Sequence, residues 1–144
     1  MAKPGNHFGD LPESSSSNAS PPSEITHNQL EFEVDFFSGI LRSAPNYVDV
    51  LRVLGNLLSL KGRYAEGLKI DRHLVRLRPF DALAHYNLAC SYALTKRVNA
   101  SLRMLRRAVE LGYRDFRYMR EDHDLDLIKD DPRFRKLLRE YENS

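Results

Sequence analysis

Pro45 and Pro79 each close an apolar stretch with helical spacing. Proline lacks an amide donor and pushes the residue before it out of the helical region, so no helix runs through either site. The offset between the two prolines also relates the residues around them. Leu54 falls on Leu88, Gly55 on Ala89, Leu58 on Tyr92, Leu68 on Leu102 and Leu74 on Ala108. One period earlier, Leu68 falls on Val34, Leu74 on Ile40 and Val75 on Leu41. Self-similarity at a fixed period means a repeated unit whose apolar face is sheltered only by its neighbour. The pattern predicts two full units preceded by a half.

Leu51, Leu54 and Leu58, then Leu68, Ile70, Leu74, Val75 and Leu77, fall on helical faces. No alternating β-branched run is bounded by turn residues, so the expected class is all-α. The first unit offers Leu51, Leu54, Gly55, Leu58, Gly62, Tyr64, Gly67, Leu74 and Pro79; the second offers Leu88, Ala89, Tyr92, Leu102 and Ala108. Taken together, this set resembles the tetratricopeptide repeat, a 34-residue pair of antiparallel helices A and B. The resemblance covers residues 28–113 and implies a right-handed superhelix of antiparallel helix pairs, an α-α solenoid. Lys96, Val98 and Tyr113 depart from it, replacing a turn glycine, a tyrosine and a terminal proline. Small residues at Gly55, Gly67, Ala89, Ser101 and Ala108 let helix A approach helix B closely. Asp81, and Asn46 one unit earlier, are expected to cap the helices that follow the prolines.

A stack of repeats needs ends. Residues 114–144 read as capping helices: Asp131 caps, Pro132 takes the first helical position, and Phe134, Leu137, Leu138 and Tyr141 form one stripe. The run "DLDLIKDDPRFRKLL" is similar to a closing segment of bacterial members of this repeat family, which implies a bacterial source. At the other end, Val34, Phe37, Ile40 and Leu41 match a B helix without its A helix. Phe32 and Phe36 point elsewhere, under cover of the tail, under a slightly altered stack, or into a two-fold contact between two chains. Residues 1–25, rich in Ser, Pro, Asn and Gly, hold too little apolar surface to offset ordering entropy and read as a disordered tail.

Few chemistries remain. Cys90 is the one cysteine, which excludes an internal disulfide and a zinc site of paired thiols, and its apolar neighbours suggest a packed thiol. No G-x-x-x-x-G-K, G-x-G-x-x-G or H-E-x-x-H occurs. His85 takes a large-residue slot of helix A and reads as packing. Asp122, Asp124 and Asp126 open like a calcium loop, but Leu127 and Arg133 stand where glycine and glutamate are needed. They are expected to cap short helices or to pair with Arg117 and Arg120. No nucleophile, base and orienting group assemble, so no enzyme, cofactor or metal is expected. No apolar run suits a membrane span or a secretory signal, and a cytoplasmic protein is expected.

Two surfaces are left. The resemblance implies a concave groove on the A helices that takes a peptide, with Arg52, Asn56 and Ser59 on one helix and Tyr86, Asn87 and Cys90 on the next. Arg52, Asn56, Asn87 and Arg117 also have spacing similar to the clamp by which some family members hold a partner's terminal carboxylate. Cations beside amide donors suit that ligand. On the B helices, Lys69 and Arg72 recur as Arg103 and Arg106, with Arg76 and Arg107 nearby, a basic convex face that suits nucleic acid or an anionic surface. The formal net charge is only +2; residues 1–27 carry −2 and the remainder +4, mild for nucleic acid. The expected function is therefore a non-catalytic adaptor, scaffold or co-chaperone-like module that binds a protein or peptide. Nucleic-acid binding is the second reading.

Overall fold

A computed structural model describes residues 26–143; the segment read as a tail, 1–25, lies outside them. Helices α1 (His27–Ser43), α2 (Val48–Leu60), α3 (Tyr64–Leu77), α4 (Ala82–Leu94), α5 (Val98–Glu110), α6 (Phe116–Glu121) and α7 (Pro132–Glu142) follow in order, with a 3-10 segment, His123–Ile128, before α7. No described helix is long and apolar enough to cross a membrane. α2 packs on α3 and α4 on α5 within hairpins, while α1 on α2 and α3 on α4 join successive units. The result is the expected right-handed superhelix of antiparallel pairs.

The period extends further than the sequence pattern implies. The A helices begin at Val48, Ala82 and Phe116 and the B helices at Tyr64, Val98 and Pro132, each start one full period after the last. The C-terminal capping helices thus stand in the places of a third hairpin, α7 packing on α5 and the 3-10 segment on α4, with the helix in the A position broken at Asp122. Asp122 is extended there (φ −74°, ψ 111°), and its side chain accepts from the Asp124 amide at 3.0 Å, which starts the 3-10 segment afresh. The expected cap of α7 is present: Asp131 accepts from the Arg133 amide at 2.9 Å and Pro132 holds the first position.

Within each hairpin the small residues meet. A methyl on Gly67 would stand 3.6 Å from the Gly55 carbonyl oxygen; one period on, the Ser101 hydroxyl donates to the Ala89 carbonyl at 2.7 Å. Gly55 and Ala89 therefore occupy equivalent contacts. A side chain at Gly55 would stand 2.6 Å from the Asp71 carboxylate, which the Ser91 hydroxyl holds in the interior. Asp71 occupies the slot that Leu105 fills in the next unit, a buried acid that no sequence expectation covers.

Three helices end alike. Gly62 donates to the Ser59 carbonyl and Arg63 to Leu58; Lys96 donates to Ala93 and Arg97 to Tyr92; Gly112 donates to Val109 and Tyr113 to Ala108. This paired closure needs a left-handed residue at its centre, with φ of 78° at Gly62, 65° at Lys96 and 117° at Gly112. Gly112 thereby reverses the chain where the terminal proline is missing. The proline turns differ from expectation in one respect. Asp81 caps α4 through the Ala84 amide at 3.0 Å, but Asn46 caps nothing. Tyr47 holds the equivalent position, and the Asn46 amide oxygen lies 2.9 Å from the His73 ring.

Lys96 adopts a conformation that costs a residue with a Cβ about 1–2 kcal/mol. Glycine's freedom in the unfolded chain offsets part of that. Lys96→Gly should therefore raise unfolding stability by about 0.5–1 kcal/mol in urea titration. No gain, or a loss, would show the turn to be unstrained.

Candidate functional site

Helix α4 carries half of the expected groove, and its surroundings decide what that groove can be. Its residues from Ala84 to Ser91 are all buried. α5 covers one side, α3 another, and the 3-10 segment of the third hairpin lies along it. His85 packs as expected, with its Nδ1 3.0 Å from the Asp81 carbonyl oxygen.

Tyr86 and Cys90 are corrected by this arrangement. Both are wholly buried, and both donate to Asp122 Oδ2, the hydroxyl at 2.7 Å and the thiol at 3.6 Å. They hold the broken third A helix against α4, so neither is available to a peptide. Burial, and then the Asp122 carboxylate against it, push the Tyr86 hydroxyl well above its ordinary range, so it stays a donor. Its ring stacks on Tyr113 at 4.4 Å, nearly parallel. Cys90, Asp122 and Asp124 also bring three possible ligand atoms within 4.8 Å of one another. Asp122 is already committed to the Tyr86, Cys90 and Asp124 donors, a structural use of the trio.

The other acidic expectations divide. Asp122 caps, while Arg117 and Arg120 pair with glutamates and Asp126 pairs with a lysine. Arg117 pairs with Glu121 at 3.6 Å, Arg120 with Glu142, and Asp126 with Lys129 at 2.9 Å. The Arg117 and Asp126 pairs lie within single turns, and the Arg120 pair joins the end of α6 to the end of α7.

The α2 side of the groove is more open. Arg52, with a side chain 21% exposed, donates from Nη2 to Asp81, tying α2 to the N-terminus of α4, while its Nη1 is buried without a partner among the described residues. Asn56 is buried next along α2, and Asn87, 2% exposed on α4, leaves Oδ1 unpartnered there. Ser59 is corrected: its Oγ lies 3.7 Å from where a Gly67 side chain would begin, so it faces its own hairpin. Arg117, 89% exposed, contributes charge but no fixed donor.

On the B helices Lys69, Arg72, Arg76 and Arg103 are exposed, whereas Arg106 pairs with Glu140 at 3.2 Å and Arg107 with Glu110 at 3.7 Å. The basic ladder is thus partly neutralised. At the other end Phe32 and Phe36 are 67% and 54% exposed, with ring centroids 6.2 Å apart. The expected two-chain contact rests on that exposure alone.

Burial works to raise the Asp81 carboxyl, but the Arg52 hydrogen bond and charge and the Ala84 and Leu83 amides together hold it below its ordinary value of 3.8. A depressed folded value means that the carboxylate stabilises above about pH 4 and that this is lost as pH falls through the folded value. In urea titrations, the stability gap between the wild type and Asp81→Ala should be about 1–2 kcal/mol at neutral pH and should narrow as pH falls below the ordinary carboxylate range. A gap of constant size would contradict the assignment.

No protein-family model matches the chain. A chloroplastic protein of Arabidopsis thaliana is 32% identical over 93 residues, which cover 62% of this chain and 28% of that protein. The chain thus spans little more than a quarter of that relative. Among solved structures, MamA 41-end from Desulfovibrio magneticus RS-1 superposes with a TM-score of 0.64 at 22% identity, over 78% of this chain and 66% of that one. The MamA RS-1 ArsTM double mutant gives 0.62 at 21% identity, over 81% and 70%. At these identities the likeness is one of fold. The bacterial source expected from the closing segment is tested by neither comparison.

Proposed function

Because the chain has the fold of tetratricopeptide-repeat proteins such as MamA, we propose that it is a non-catalytic interaction scaffold that holds an extended, anionic segment of a partner protein along α2, at the junction with α4. One observation supports the reading above others. Arg52, on the partly open α2 side with its side chain 21% exposed, has a buried Nη1 that lacks a partner among the described residues. Leaving such a donor unpaired costs roughly 1–3 kcal/mol, a cost that a ligand bringing a carboxylate or peptide carbonyl removes. Asn56 lies one helical turn further along α2, on the same face as Arg52. The face on α4 formed by Tyr86 and Cys90 plays no part, so the groove is shorter than the repeat pattern implies.

Fluorescence anisotropy with acidic peptides tests this. Arg52→Gln should weaken binding about ten-fold or more, the value of one charge-assisted hydrogen bond, while Lys69→Gln should leave it unchanged. Equal loss in both variants, with a steep fall in salt shared by oligonucleotides, would favour non-specific attraction to the basic face.

A further inference from the structure

A cleft of about 300 Å³ lies between α5 and α7, on the B-helix side of the molecule, lined by Asn99, Leu102, Arg103, Arg106, Arg133 and Leu137. That is room for roughly ten waters, the small end of the range for ligand sites and well beyond a single tetrahedral oxyanion. Leu102 and Leu137 are buried and form its apolar floor. The arginines are held unequally. Arg133 is pinned by Asp131, at 2.8 and 3.0 Å, and by the Asn99 amide oxygen at 2.9 Å. Arg106 reaches Glu140 through two long bonds, 3.2 and 3.4 Å, with both side chains well exposed. Arg103 is exposed and has no acid against it among the described residues.

We propose that this cleft binds a phosphoryl group carried on a small apolar body, the chemistry of an aryl phosphate. The charges set the preference. Glu140 is a weakly held, exposed occupant of Arg106, and when a stronger oxyanion displaces it, Arg103 and Arg106 face the cleft together. Two guanidiniums match a phosphoryl group, which carries about −1.5 to −2 at neutral pH, better than a carboxylate. Arg133, already neutralised, serves as a wall, and the ring lies on Leu102 and Leu137. This site is separate from the α2 groove, and neither reading depends on the other.

The test is calorimetric titration of the full chain with phenyl phosphate, inorganic phosphate, benzoate and a short phosphotyrosine peptide. Phenyl phosphate is expected to bind saturably, about ten-fold more tightly than inorganic phosphate or benzoate. Arg103→Glu should abolish that binding and Glu140→Gln should strengthen it, while Arg72→Glu, on the same basic face outside the cleft, should change it less than about two-fold. Arg103→Gln substitutes if Arg103→Glu fails to fold by circular dichroism. A peptide that binds more tightly than phenyl phosphate identifies a protein as the source of the group, and one that does not identifies a free small molecule. Equal affinity for phenyl phosphate and inorganic phosphate, or binding unchanged by both Arg103 variants, would overturn the proposal.

Discussion

Helix α4 has almost no face left for solvent: every residue from Ala84 to Ser91 is buried. The rest of the molecule depends on that enclosure. A hairpin of two short helices cannot shelter an apolar surface on every side, so α4 exists as a helix because α3, α5 and the third hairpin all lie against it. The approach is close where side chains are small. The Ser101 hydroxyl reaches the Ala89 carbonyl at 2.7 Å, and the Gly55–Gly67 contact repeats the arrangement one period earlier. Where a carboxylate enters the same layer, as at Asp71, the facing residue gives up its side chain altogether at Gly55.

Enclosure also explains why the groove is short. In a longer array the A helices would leave a continuous inner wall. Here the third A helix breaks at Asp122 and folds back along α4, and the Tyr86 hydroxyl and Cys90 thiol fix it there. Burying that carboxylate among three donors costs desolvation but leaves no oxygen unpaired, which makes the break a stable feature. What remains accessible is the α2 side, where Arg52 and Asp81 tie two units together.

Much of this is legible in the sequence because a fixed period leaves marks that do not depend on partners. Pro45, Pro79, Gly55, Ala89 and the Asp131-Pro132 start each act through local backbone geometry or size. The errors fall where the deciding neighbour is distant. Asn46 looks like a cap, yet the helix begins one residue later and His73, on the far side of the hairpin, takes its side chain. Tyr86 and Cys90 look like groove residues because nothing local says that Asp122 returns to them from the next hairpin. Asp71 does leave a signal, an acid within an otherwise apolar stripe, although its partner Ser91 lies on another helix. The third hairpin is obscured because Lys96, Tyr113 and the break at Asp122 remove the residues by which the repeat is recognised.

Native-state hydrogen exchange tests the stacked arrangement most directly, because exchange of each helix reports the opening that exposes it. With α4 enclosed by both neighbouring units, its amides should exchange only through global unfolding, and protection should fall outward through α3 and α5 to α1 and α7. Amides of α4 that exchange as readily as those of α1 or α7 would contradict the arrangement.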